Sequence, residues 1–198
     1  MSVTAAAGFR AAGVAAGIKS EGRRDVALVV NDGPSAACAA VFTSNRCKAN
    51  PILWSQEAIR GGSISAIVLN SGGANCYTGS FGFQTTHQTA EAVAAKLGIG
   101  AGDVLVCSTG LIGVGDQSFR DGVLRGVELT AESLSDTAEA GDEASLAIMT
   151  TDSKPKRSVR QGEGYVVGAM AKGAGMLAPG LATMLVVITT DADLESVA

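Results

Sequence analysis

"ISAIVLNSGGANCYTG", residues 64–79, and "DVLVCSTGLIG", residues 103–113, decide how this chain folds. Each begins as a short apolar run and ends in a cluster of glycine and small polar residues. A short continuous apolar run bounded by turn residues reads as a buried strand. Between the two lies "GFQTTHQTAEAVAAKLGIG", residues 82–100, whose apolar spacing is that of an amphipathic helix. Thr85 or Thr86 would stand near its start and Gly98 at its C-cap. Strand, helix and strand make βα units, and these point to a layered α/β or α+β sandwich.

Reading outward, residues 1–19 are rich in Ala and Gly and read as strand and turn. "DVALVVNDGPSAACAAVFT", residues 25–43, holds an apolar strand over Val26–Val30 and a turn at Asn31-Asp32-Gly33-Pro34. A second strand through Val41 and Phe42 would complete a hairpin. "NPILWSQEAIRGG" predicts a short helix ending at Gly61-Gly62. Residues 117–148 are mostly helical, around "SFRDGVLRGV" and then "DTAEAGDEASLAIM". "TTDSKPKRSVR" reads as a polar turn in which Lys154, Lys156, Arg157 and Arg160 are solvated. "GYVVGAMAKGAG" is a glycine-laced strand, and Met184–Ile188 another. No internal repeat is visible.

The bulk composition excludes several partners. The net charge of −4 gives no electrostatic reason to bind nucleic acid or an anionic membrane. Aromatic residues at 4% are too sparse for a base-stacking platform. Abundant Ala and Gly predict a core of small side chains in which backbones approach closely. Cys38, Cys47, Cys76 and Cys107 include no CxxC pair, and a single histidine leaves no structural zinc set. They read as buried or half-buried free thiols of a reducing cytosol. Arg10 interrupts the first segment, which lacks the apolar centre of a signal peptide. No run approaches the ~20 apolar residues of a membrane span. A soluble, cytoplasmic protein is expected.

The chemistry is narrowed first by what is missing. A single histidine removes a conventional Ser-His-Asp or Cys-His set unless His87 is its base, and His87, on a helix between threonines, reads rather as a surface or capping residue. There is no GxxxxGK[ST] phosphate loop. "NSGGAN" (70–75) and "CSTGLIG" (107–113) put backbone N–H groups on glycine turns, where they line an anion or oxyanion site or simply make tight turns. Thr183, in "AKGAGMLAPGLATMLVVITTD" (171–191), is the candidate nucleophile. A threonine hydroxyl needs a base, and its own α-amino group serves once the chain is cut before it. That amine has a pKa near ~8 and takes the hydroxyl proton without any histidine. Ala182 is small enough to let Oγ1 reach the preceding carbonyl, and Gly173, Gly175 and Gly180 supply a bend. A plain strand-entry threonine is the alternative on these residues alone.

Taken in order, "GFRAAGVAAGIK", "AVFT", "LNSGGANCYTG", "CSTGLIG", "AIMTTD" and "MAKGAGMLAPGLATML" resemble the ornithine acetyltransferase family of ArgJ type, over essentially the whole chain. The last motif is the most specific. The resemblance implies an αββα-like sandwich, similar to but distinct from the N-terminal-nucleophile hydrolases. It implies a precursor that cuts itself between Ala182 and Thr183, so that residues 1–182 form an α chain and 183–198 start a β chain. The two stay together, typically as α2β2. Thr183 would then carry acetyl from N-acetylornithine to glutamate in a ping-pong reaction of arginine biosynthesis. The family needs no cofactor or metal, though some members also accept acetyl-CoA as acetyl donor. Thr109 and Gly110 match its oxyanion pair, and Thr150 and Lys172 its substrate contacts, with Thr151 equally close in sequence to Thr150. Two departures stand out: the family is about twice this length, and "VGDQSF" replaces a GDR-like continuation after "CSTGLIG". Two other readings share these residues. One is an amidohydrolase or aminopeptidase with the same self-cutting logic; the other is a half that acts only with a separate β polypeptide.

Overall fold

Val26, Leu28 and Val30 point to one side of a strand, and Ala27 and Val29 to the other, and all five are buried. Such a strand has no solvent face and must lie inside a sheet covered on both sides. The computed structural model describes residues 1–33, 35–175 and 183–194, and it places this strand so. β1 (Phe9–Val14) and β2 (Val26–Asn31) are antiparallel, β2 and β3 (Ala66–Gly73) antiparallel, and β3 and β4 (Val104–Leu111) parallel. The sheet order is therefore β1-β2-β3-β4. A parallel pair requires a crossover, and α2 (Gly79–Leu97) supplies it.

One sheet face packs on α1 (Asn50–Ala58), α2 and α3 (Gln117–Glu132), through Trp54, Val93, Ala94 and Val127. α1 also closes the free edge of β4. Trp54 Nε1 donates to Val104 O at 3.0 Å, and Ser55 Oγ donates to Val106 O at 2.9 Å and accepts from Val106 N at 3.0 Å. An edge satisfied in this way offers no template to another strand. The opposite face packs on α4 (Ala138–Ala147) and on a second, antiparallel sheet. That sheet is β5 (Lys156–Gln161), β6 (Val166–Lys172) and β7 (Leu185–Thr190), with Met170 and Val187 reaching the shared core. Helices, sheet and second sheet form the layered sandwich that the βα units predicted.

Small residues bring the layers close, as the composition suggested. A Cβ on Gly13 of β1 would lie 2.2 Å from Glu143 O of α4. Gly13→Ala is expected to lower stability by about 3 kcal/mol, since a backbone neighbour cannot rotate away. Thermal unfolding should show a Tm lower by roughly 5–10 °C; an unchanged Tm would mean that α4 shifts freely on β1.

The helices begin and end for local reasons. Pro51 opens α1, Asp116 accepts from Phe119 N at 2.9 Å to cap α3, and Thr137 accepts from Ala140 N at 3.2 Å to cap α4. Gly98 takes the left-handed C-cap of α2, as expected. The start of α2 differs: it is Gly79, so Thr85 and Thr86 lie one to two turns inside and donate back to Phe81 O and Gly82 O.

Three further expectations are corrected. Val41 and Phe42 form no strand; both edges of β2 are taken by β1 and β3, and Val41 is 99% exposed. The predicted basic turn is in part a strand, β5, although Lys156, Arg157 and Arg160 are exposed as expected. Cys47 is exposed rather than buried, while Cys76 is buried and Cys38 and Cys107 half-buried, all as free thiols. Among the described residues no helix is long and apolar enough to cross a membrane.

Candidate active site

The site lies where the carboxyl ends of β3 and β4 meet the end of β6. Carboxyl ends of parallel strands are where open α/β sheets hold ligands. "NSGGAN" and "CSTGLIG" are less loop-like than their glycines suggest, because β3 runs through Gly73 and β4 through Leu111. Gly72 pairs with Gly110, and the register shifts at Gly73. Gly110 has φ +130°, and a Cβ there would lie 2.5 Å from the Gly72 carbonyl carbon. Only glycine combines that torsion with that approach. Several donors of "NSGGAN" are spent internally. Ala74 N donates to Leu111 O at 2.9 Å, Ser71 N to Asp25 O at 2.8 Å, and Asn70 Nδ2 to Gly73 O at 3.2 Å.

Thr109 and Lys172 meet. Lys172 Nζ donates to Thr109 Oγ1 at 2.9 Å, with the two residues 4% and 1% exposed. Burial lowers the pKa of the ammonium, Asp152 opposes that, and Lys156 adds to it. Gly110, the other predicted oxyanion residue, is exposed beside this pair.

Asp152 fixes the neighbouring backbone. It is buried and accepts from Gly173 N at 2.8 Å, from Thr150 N at 3.4 Å and from Lys156 Nζ. Burial pushes its carboxyl up, but Lys156 and the two backbone donors more than offset this and bring it down to about 2. One carboxylate thus ties the residue after Lys172 to the segment carrying Thr150. Thr150 is half-buried and lines a cavity, whereas Thr151 is exposed.

Thr183 is half-buried and stands two residues before Leu185, the register partner of Lys172. Two residues of chain span at most about 7 Å, which keeps Thr183 at the same end of the second sheet as Lys172. Ala182 lies outside the described residues. His87 is half exposed and rests against the Trp54 ring, with centroids 4.8 Å apart; Trp54 bonds Val104 at the start of β4, the end opposite Thr109.

The cavity that Thr150 lines has a volume of about 310 Å³ and includes Lys19, Arg23, Arg24, Met149 and Asp152 in its wall. Lys19 Nζ donates to Met149 O at 3.0 Å, and burial brings its pKa down to about 8 against the pull of Asp25. Asp25 itself shapes the turn carrying Lys19, accepting from the backbone N–H groups of Ala16, Ile18 and Lys19 at 2.6, 2.7 and 2.9 Å. Lys19, Asp25 and Asp152 were not singled out in the sequence. All three lie in quoted stretches, Lys19 closing "GFRAAGVAAGIK", Asp25 opening "DVALVVNDGPSAACAAVFT" and Asp152 closing "AIMTTD".

A helix-covered mixed sheet apposed to an antiparallel sheet, with a buried lysine–threonine pair at the strand ends, defines a layered α/β sandwich with a site suited to stabilising an anion. The chain belongs to the ArgJ family, whose family model matches residues 10–198. It is 61% identical over 196 residues to the arginine biosynthesis bifunctional protein ArgJ of Streptomyces coelicolor, covering 99% of this chain and 50% of that protein. Among solved structures it is similar to ornithine acetyltransferase of Mycobacterium tuberculosis complexed with ornithine, with 51% identity and a TM-score of 0.82 over 91% of this chain and 96% of that one. The arginine biosynthesis bifunctional protein argJ of Bacillus halodurans is also similar, with 30% identity and a TM-score of 0.77 over 93% and 95% of the two chains. The chain spans about half the length of the curated relatives it matches.

Proposed function

We propose that this chain carries the acyl-transfer site of a glutamate N-acetyltransferase of arginine biosynthesis, with Thr183 as nucleophile. The observation that carries this reading is the convergence of Thr109, Lys172 and the start of β7 at one end of the two sheets. The likeness to ornithine acetyltransferase supports it. So does the coverage: the solved chain of that enzyme is matched over 96% of its length, the curated relatives over half of theirs. Both coverages fit the proposed division of a precursor before Thr183, with residues 1–182 on one side and 183–198 beginning the other.

In this reading Thr183 Oγ1 first attacks the Ala182 carbonyl carbon; the peptide C–N bond breaks, the Thr183 nitrogen gains the hydroxyl proton, and the Ala182 acyl group passes to Oγ1. The resulting ester is hydrolysed, which leaves a carboxylate on Ala182 and a free α-amine on Thr183. That amine then takes the Oγ1 proton as the oxygen attacks the acetyl carbon of N-acetylornithine. The oxyanion that forms faces the Thr109–Gly110 segment. The C–N bond breaks, the Thr183 ammonium returns its proton to the leaving amine, and ornithine departs. Glutamate attacks the acetyl ester through its own amine and loses a proton to the Thr183 amine; the bond from Oγ1 to the acetyl carbon breaks, Oγ1 takes that proton back, and N-acetylglutamate leaves. Lys172 holds the Thr109 hydroxyl in place, and Thr150 and Lys172 contact the substrate. The assembly in this reading is α2β2.

The test is acetyl transfer from N-acetylornithine to glutamate, by the gene product that contains this chain. N-acetylglutamate is the expected product; release of acetate alone would replace this reading with an amidohydrolase. Thr109→Ala is expected to lower kcat by about 10²-fold, as for other lost oxyanion donors. An unaltered kcat would remove Thr109 from the site.

A further inference from the structure

The cavity beside Thr150 holds more positive charge than its own carboxylates neutralise. Arg24 is committed, donating to Gly13 O at 2.9 Å and pairing with Glu143. Asp152 is committed as well, to Lys156 and two backbone N–H groups. Asp25, the carboxylate whose field reaches Lys19, is turned onto three backbone donors. Lys19 has only the neutral Met149 carbonyl as its side-chain partner, and neither Lys19 nor Arg23 pairs with a carboxylate among the described residues.

We propose that Lys19 and Arg23 form a carboxylate-binding wall of this cavity and select an acidic amino acid as acyl acceptor. The proposal rests on the acyl-transfer reading and names which residues distinguish the acceptor. A half-buried ammonium on a neutral carbonyl gains a charge-assisted bond when a carboxylate enters. Two cations without a carboxylate partner suit a ligand that carries a second carboxylate. The cavity, at about 310 Å³, is at the small end of the ~300–1,000 Å³ usual for ligand sites, a size for a single amino acid. Lys19 is also well placed to act: its backbone N–H is fixed by Asp25, so only the side chain searches for the ligand.

The decisive variant is Lys19→Met, which keeps the apolar stem and removes the charge, with Lys19→Arg as its charge-keeping control. In the gene product containing this chain, Lys19→Met should raise the KM for glutamate at least tenfold more than the KM for N-acetylornithine, and Lys19→Arg should restore most of the difference. Equal rises for both substrates, or no rise for glutamate, would overturn the assignment. Calorimetric titration of the same protein with glutamate and with glutamine separates this idea from the catalytic one. Tighter binding of glutamate, lost in Lys19→Met, supports the wall even where no acetyl transfer is seen. Equal binding of the two amino acids by the unsubstituted protein overturns the wall even where transfer is seen.

Discussion

Thr183→Ala is expected to leave the gene product that contains this chain as one uncut species in an intact-mass measurement, and to lower acetyl transfer by at least about 10³-fold. Loss of a covalent nucleophile has effects of this size because the whole reaction path runs through it. Thr183→Ser should retain part of both events, since the hydroxyl and the future α-amine remain. The mass spectrum comes first because it needs no substrate. Two pieces divided between residues 182 and 183 are expected from the unsubstituted protein and one piece from the alanine variant. A cut alanine variant, or one that still transfers acetyl groups, would remove Thr183 from the mechanism.

Lys172→Met separates chemistry from stability. Lys172 is 4% exposed, and its ammonium has the Thr109 hydroxyl as its near partner. Holding a charge there is costly, and an apolar side chain of similar length removes that cost. Thermal unfolding of Lys172→Met is therefore expected at an unchanged or higher Tm. Transfer should nevertheless fall by about 10²-fold or more, because Thr109 loses the group that orients it at the oxyanion position. A lower Tm with full activity would show the opposite role, a lysine kept for packing.

The strands and helices that read clearly were those whose burial follows a simple period. β2, β3 and β4 are apolar runs covered on both faces, and α3 and α4 carry one apolar side each. β5 was not legible because it is an exposed edge strand, and Lys156, Arg157 and Arg160 write no alternation into it. The hairpin expected at Val41 failed for a reason outside its own residues: β2 had two other partners far along the chain. The site divides similarly. Thr109, Gly110, Thr150, Lys172 and Thr183 were visible as motifs, but the contact between Lys172 and Thr109 crosses 63 residues and no spacing announces it. Lys19 and Asp152 matter through what they face, which only folding decides.

The pairing of β7 has a consequence for the order of events in the life of this protein. Six successive residues of β7 are in register with β6, Thr189 Oγ1 donates to Val3 O at 2.8 Å, and Asp191 accepts from Ala7 N and Val166 N at 2.8 and 2.6 Å. A scission just before Thr183 would therefore release nothing, since the downstream piece is already interlocked with both ends of the upstream one. What changes is the molecularity. Before the break, folding is a first-order event within one chain; after it, two separated pieces would have to find each other, at a rate set by their concentration. The mature form would then carry a history. It is reached easily by folding first and cutting second, and regained slowly once denatured.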